Sequence, residues 1–294
     1  MIALLGYYGF GNLGDELLLQ ACIQKLGRRD EIIVLSNNPS ETTKNFGVKA
    51  INRWRYREVI KALRKCEALY LGGGGLFQDV TSVKSCVWYW GIVRFARFLG
   101  VKVFALGQSI GPLHSRLSRL LTANALSACE SVEVRDENSY NVAKSLGCEK
   151  VTLGRDLVLS LSASNTFTKS RSCTLINLRP CKTLDSFVNA LVPKVAAMTS
   201  EKIGVALSGE DEEVLTSLQE KLSLSKIVRV KNFSDAESLW SGAVEAFGMR
   251  LHFGVLSVIF NTPVTLLPYD VKVSEFAKQF NIPVIKFAHE QAQD

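Results

Sequence analysis

Histidine is scarce in this chain. His114, His252 and His289 are the only three in 294 residues, so any imidazole chemistry must come from that short set. No run of eighteen apolar residues occurs, which leaves no candidate membrane-spanning helix. The basic, alanine-ended pattern of a signal peptide is also missing. The opening Met1-Ile2-Ala3-Leu4-Leu5-Gly6 reads instead as a first strand, and the cytoplasm is the expected compartment. Seven cysteines, at 22, 66, 86, 129, 148, 173 and 181, make an odd number with no pair at metal-ligand spacing. Neither a disulfide framework nor a zinc knuckle is expected; free thiols filling cores are.

Apolar residues make up 47% and charged residues 21%, which supports a sizeable core and argues against global disorder. The length suits one large α/β unit or two ordinary domains. The net charge of +7 is uneven. Residues 1–160 carry 21 Lys/Arg against 14 Asp/Glu, while residues 161–294 carry 14 against 14. A basic half attracts phosphorylated small molecules, anionic lipid or nucleic acid, and charge alone does not choose among them.

Short β-branched runs alternate with longer amphipathic ones. Strands are expected at 2–6, 31–35, 48–51, 68–72, 101–106, 131–135 and 150–153, and helices at 15–26, 55–65, 86–99, 115–128 and 137–146. The polar stretch 161–172 reads as a linker. A second series follows, with strands at 173–178, 202–207, 226–230, 243–247, 264–267 and 283–287. Its helices are expected at 184–198, 211–221, 234–240, 250–260 and 273–280. Such alternation predicts parallel sheets covered on both faces, in domains 1–160 and 173–294 with a cleft between them. Ligands of open α/β sheets bind where loops leave the carboxyl ends of strands.

Three glycine-rich loops fall at such ends. In the first, Gly9, Gly11 and Gly14 form a GxGxxG spacing around Asn12, followed by Asp15 and Glu16. Glycine admits close backbone approach, and a helix start offers free N–H groups to an anion. The ribose-binding acid of a dinucleotide site is missing, because the second strand ends in Ser36-Asn37-Asn38. The acids at 15 and 16 suit sugar hydroxyls better than a pyrophosphate; the alternative is a tight turn with Asp15 as a helix cap. The second loop, Gly72-Gly73-Gly74-Gly75, ends in Gln78-Asp79. It is either a nest of N–H groups for an anion or sugar, or a close approach of sheet to helix. The third, Gly107-Gln108-Ser109-Ile110-Gly111-Pro112, offers Gln108 and Ser109 as polar contacts, and His114 beyond it reads as a surface or capping residue.

Arg53, Arg57, Lys61 and Lys65 recur at helical spacing, giving either a solvated basic face or one that meets anionic lipid. Nucleic acid is not expected, since no recognition fold accompanies the charge. Near the C-terminus, Gly248-Met249-Arg250-Leu251-His252 joins a strand to an apolar helix. Arginine grips carboxylate or phosphate with two bonds, and histidine moves protons near neutral pH. The alternative is a surface arginine and a packed histidine. Lys272, after Tyr269-Asp270, and Arg179, beside Pro180, are further strand-end cations. Arg135-Asp136 and Arg155-Asp156 also end strands; Asp136 suits structural support and Asp156 a place in the cleft.

Taken in order, Gly6–Glu16, Leu71–Asp79, Gly107–Pro112, Val134–Asp136, Gly248–His252 and Tyr269–Lys272 make the chain resemble the polysaccharide pyruvyl transferase family. The wording is most similar to its cell-surface-anchoring branch, which pyruvylates N-acetylmannosamine. The resemblance implies a GT-B-like α/β fold, two Rossmann-like domains facing across a cleft. It implies phosphoenolpyruvate as co-substrate, no cofactor or metal, and a saccharide acceptor, lipid-linked or polymeric, at the inner face of the membrane. Arg250 and His252 occupy the family's donor and catalytic positions, with Lys272 and Arg179 as supporting cations. Asp15, with Asp79, Gln78, the glycine loops and Asp156, falls on the acceptor side. The loop Ser208–Asp211 is less polar-aromatic than a polymer-binding rim would be. A GT-B glycosyltransferase using a nucleotide sugar, or a non-catalytic saccharide-binding protein, is the alternative.

Overall fold

The computed structural model describes residues 1–80, 82–163 and 172–285. Two compact units emerge: Met1–Phe10 with Asp15–Ser160, and Gly11–Gly14 with Leu161–Asp294. The expected linker 161–172 and the strand 283–287 lie partly outside the described residues.

In the first unit, β1 (Ile2–Leu5), α1 (Leu13–Leu26), β2 (Ile32–Ser36), α2 (Pro39–Phe46), β3 (Lys49–Asn52) and α3 (Tyr56–Leu63) come first. They are followed by β4 (Ala68–Phe77), α4 (Lys84–Phe98), β5 (Lys102–Ile110), α5 (Arg116–Ser127), β6 (Ser131–Val134), α6 (Glu137–Ser145) and β7 (Val151–Leu153). The seven strands are parallel in the order β3-β2-β1-β4-β5-β6-β7. Strands such as β1 and β2 are buried along their whole length, as helices on both faces require. Their apolar runs join Val59, Leu63, Val93, Leu126 and Ala143 from α3 to α6 in one core.

Helix α2 was not expected from the sequence. Its eight residues carry little apolar pattern, but Pro39 opens it, Asn38 caps it by accepting from the Glu41 N–H, and Gly47 closes it at φ 64°. Two loops proved to be strand. β4 runs through the glycines to buried Phe77, with a register shift against β5 between Gly74 and Phe77. Gly73 and Gly74 take φ values of 61° and 82° there, which side chains rarely adopt. β5 likewise continues to Ile110.

The second unit contains β8 (Cys173–Asn177), α7 (Leu184–Ala196), β9 (Glu201–Ala206), α8 (Gly209–Ser217) and β10 (Lys226–Arg229). It continues with α9 (Phe233–Trp240), β11 (Ala243–Gly248), α10 (Leu251–Ile259), β12 (Val264–Leu266) and α11 (Val271–Gln279). Its five strands are again parallel, in the order β10-β9-β8-β11-β12. In each sheet the strand order reverses once, between β1 and β4 and between β8 and β11. Loops at those points diverge and open a crevice at the carboxyl edge.

Candidate active site

The crevice of the second sheet is flanked by Leu178–Pro180 after β8 and Met249–Arg250 after β11. Arg250 is the N-cap residue of α10, so its backbone turns out of the strand there and His252 falls in the helix's first turn. Asn177, fully buried at the end of β8, fixes the turn: its Oδ1 accepts the Arg250 N–H at 3.0 Å and its Nδ2 donates to Val205 O at 2.8 Å.

The Arg250 side chain is held from one edge. Its Nε lies 3.0 Å from both carboxylate oxygens of Asp211, and Nη2 donates to Asp211 Oδ1 and Ser208 Oγ. Asp211 is completely buried. Burial pulls the Arg250 pKa down, but the hydrogen bonds and charge of Asp211 outweigh it and the net direction is up. Among the described residues Nη1 makes no hydrogen bond, so one edge of the guanidinium stays available to an anion. Arg179 donates through Nη1 to Tyr269 Oη at 2.6 Å, and its guanidinium carbon stands 4.5 Å from that ring's centroid. Burial raises the Tyr269 pKa, against the lowering effect of the Arg179 and Arg250 charges. Lys272 is the second residue of α11, which the Asp270 carboxylate caps by accepting the Lys272 N–H.

Gly11–Gly14 belong to this unit, with the Leu13 N–H donating to Leu207 O and Arg229 Nη2 to Gly11 O. Asn12 Oδ1 accepts from the Gly14 N–H. A Cβ on Gly14 would stand 2.1 Å from His252 Nδ1, so the imidazole sits where a side chain would otherwise be. The structure thus gathers Arg179, Arg250, His252, Tyr269 and Gly14 in one region. Sequence reasoning missed Asp211, Asn177 and Ser208. The Ser208-x-x-Asp211 spacing was the available signal, a helix-start pattern in which the acid reaches back to backbone N–H groups.

In the first unit, Asp15 and the glycine run meet at the crevice: a Cβ on Gly74 would lie 3.3 Å from Asp15 Oδ1. Glu16 Oε1 accepts the Gly9 N–H at 2.8 Å. Burial raises the Glu16 pKa to about 7, with the Asp15 and Glu41 charges adding to the rise and the Gly9 bond opposing it.

Several expected contacts are corrected. Gln108 and Ser109 are strand residues with almost no exposure; Gln108 Nε2 donates to Leu71 O and Ser109 Oγ to Asp136. Gln78 accepts the Val80 N–H, and Asp79 accepts those of His114 and Ser115, which pull its pKa down against the effect of burial. The Gln78 oxygen thus serves its own turn, and Asp79 ties that turn to the start of the segment after β5. Asp156 is buried and pairs with Arg135 at 2.8 Å; it lines a cavity of about 580 Å³ with Lys25, Glu133 and Arg155, beside the end of α1. Arg53 precedes α3 and is 2% exposed, so it is not part of a basic helical face. Its guanidinium donates to Gly6 O and lies 4.1 Å from the Trp88 ring centroid.

The family model for polysaccharide pyruvyl transferase matches residues 12–271. The chain belongs to that family. A pyruvyl transferase of this kind is an enzyme, with phosphoenolpyruvate as co-substrate and a saccharide as acceptor. No curated protein matches. Among solved structures, Anabaena HepE in complex with UDP-glucose is 14% identical at a TM-score of 0.63, over 99% of this chain and 87% of that one. An MnaA–UDP structure from S. aureus is 11% identical at 0.66, over 100% and 87%. The UDP-GlcNAc 2-epimerase of Neisseria meningitidis bound to UDP-GlcNAc is 13% identical at 0.62, over 96% and 87%. These likenesses show the fold, a GT-B-like pair of Rossmann-like units. Among the described residues no group of three or more His, Cys, Asp or Glu is placed to hold a metal ion, and no helix is long and apolar enough to cross a membrane.

Proposed function

We propose that this pyruvyl transferase binds phosphoenolpyruvate at the carboxyl edge of its second sheet and forms a cyclic ketal on a saccharide containing N-acetylmannosamine, lipid-linked or polymeric, at the inner face of the membrane. The observation that supports the donor site is Arg250 aimed by a fully buried Asp211, with Arg179 and Tyr269 beside it and His252 two residues further along the same helix start.

Two guanidinium groups and the Lys272 ammonium suit a donor that carries both a carboxylate and a phosphate. His252 delivers a proton to the methylene carbon, and C2 becomes an oxocarbenium-like centre. One sugar hydroxyl adds to C2 and loses its proton. A second hydroxyl then displaces phosphate and loses its own. Of the two protons released, one restores His252 and the other leaves with phosphate. The fixed charges stabilise the developing anion on the phosphate without reorganising. Asp15 is the proposed base for the acceptor hydroxyl.

Incubation with phosphoenolpyruvate and a glycan panel, read by mass and by phosphate release, tests this reading. H252Q lowers kcat roughly 10²–10⁴-fold with a smaller change in KM, as loss of a general acid does. Near-wild-type turnover by that variant removes His252 from the proton-donor role. A nucleotide-sugar donor is the second reading, because the solved structures of similar fold hold UDP or UDP-sugars. Thermal protection by a UDP-sugar, with none from phosphoenolpyruvate, favours it.

A further inference from the structure

From β3 to β7 the chain steps across the first sheet in one direction. Right-handed crossovers therefore put α3, α4, α5 and α6 on one face, and α1 and α2 on the other. On the shared face, α4 and α5 are neighbours joined by a bond from Trp90 Nε1 to Asn124 Oδ1 at 2.8 Å. Neither helix contains an Asp or Glu, yet they carry Lys84, Arg94, Arg97, Arg116 and Arg119. Arg97 pairs with Glu130 beyond the helices. Among the described residues the other four have no ion-pair partner.

Both helices already bury an apolar face, through Tyr89, Ile92, Val93 and Ala96 on α4 and through Ala125 and Leu126 on α5. Large apolar side chains remain outside as well: Val87 is 44% exposed, Leu117 50%, Leu120 66% and Phe98 83%. Lys84, Val87, Gly91, Arg94 and Phe98 recur at three- and four-residue steps, so they form one outward stripe. Helix α3 differs: it adds Arg57 and Lys61 and exposes Tyr56, but it carries an acid, Glu58, and its Val59, Ala62 and Leu63 are buried.

A surface that offers cations and protruding apolar groups together, with no acid on either helix, matches the border between anionic headgroups and acyl chains. A second copy of the chain would set like charges against each other, and a phosphate backbone has no use for Leu120 or Phe98. We propose that the α4–α5 face docks on an anionic lipid surface, with Phe98, Leu117 and Leu120 entering the interface while Lys84, Arg94, Arg116 and Arg119 lie on the headgroups. This docking does not depend on the transfer chemistry.

Co-sedimentation of the full chain with vesicles of phosphatidylcholine, with and without phosphatidylglycerol, tests it without any donor present. Binding is expected to the anionic vesicles only and to weaken as salt rises. Leu117→Ser with Leu120→Ser lowers the partition coefficient about tenfold or more. Arg116→Gln with Arg119→Gln lowers it about fivefold per charge. Lys44→Gln, on α2 across the sheet, leaves it unchanged. Circular dichroism confirms that each variant is folded, and Phe98→Ser repeats the apolar test on the other helix. Equal binding to neutral vesicles overturns the proposal, as does full binding by the serine variants. So does an oligomer in sedimentation velocity that L120S dissolves without any vesicle binding, since the face is then a contact between copies. Turnover on a soluble acceptor is read separately and bears only on the proposed reaction.

Discussion

Asp211 accepts from Arg250 Nε, from the Leu207 N–H and from Ser208 Oγ, all without solvent contact of its own. Asp211→Asn would leave Arg250 beside a neutral amide in a largely buried place, which costs about 3 kcal/mol of stability. Denaturant titration of D211N, R250M and the double variant measures this; the double variant recovers much of the loss if the two residues act as a pair. Additive losses would mean that Asp211 does not hold Arg250. Glu16 has the opposite electrostatic situation. Its folded pKa of about 7 lies above the ordinary 4.5, so the unfolded chain ionises first as pH rises. Stability from this group is therefore lost between about pH 4.5 and 7 and is level beyond, up to a bound of about 3 kcal/mol. Glu16→Gln should match wild type near pH 4 and be the more stable protein at pH 8, since the amide oxygen still accepts from Gly9. A stability difference that does not change with pH would show that Glu16 stays ionised in the fold. At this scale the sequence showed the residue types at strand ends but not their partners. Arg53 fits a basic helical spacing with Arg57 and Lys61, yet it is enclosed by Phe10, Trp54, Trp88 and Tyr89, which come together only when β1, β3 and α4 assemble.

At the scale of elements, the four glycines of β4 are a matter of clearance as much as of ligand contact. A Cβ on Gly72 would stand 2.4 Å from Tyr8 Oη and 2.8 Å from Cys22 Sγ, where Tyr8 Oη donates to Gly72 O. Gly72→Ala is expected to destabilise the protein by about 2 kcal/mol through overpacking. Tyr8→Phe in that background should recover part of the loss by removing the crowded hydroxyl. Thermal melts of the three variants check both, and a silent G72A would mean that α1 yields easily. Strand and helix order was legible because hydrophobic period is a local property of the sequence. The ends of β4 and β5 were not, because glycine and glutamine carry no strand signal and are held there by pairing with each other's strand, Gly74 against Gln108. α2 was missed for a related reason: its order comes from its caps and not from an apolar stripe.

For the molecule as a whole, donor binding has a mapped consequence. Phosphoenolpyruvate should slow hydrogen exchange in the strand-end segments 178–183, 207–211, 249–252 and 267–272, and leave 73–80 and 107–115 unaffected. Protection confined to the first unit would place the anion on the wrong sheet and end the donor assignment. The sequence alone determined that there are two alternating α/β series, that the first is basic and the second neutral, and that the chain reads as a pyruvyl transferase from its landmarks in order. Those properties reside in short windows, where period, turn residues and charge are written locally. Tertiary structure alone decided which strand-end polar groups remain available. The Gln108 amide N–H, Asp79 and Asp156 are taken by backbone or ion-pair partners 21 to 37 residues away, while one edge of Arg250 stays open because Asp211, 39 residues earlier, takes the other. A hydrogen bond between distant segments exists only once the sheet brings both ends together, so no local pattern can announce it.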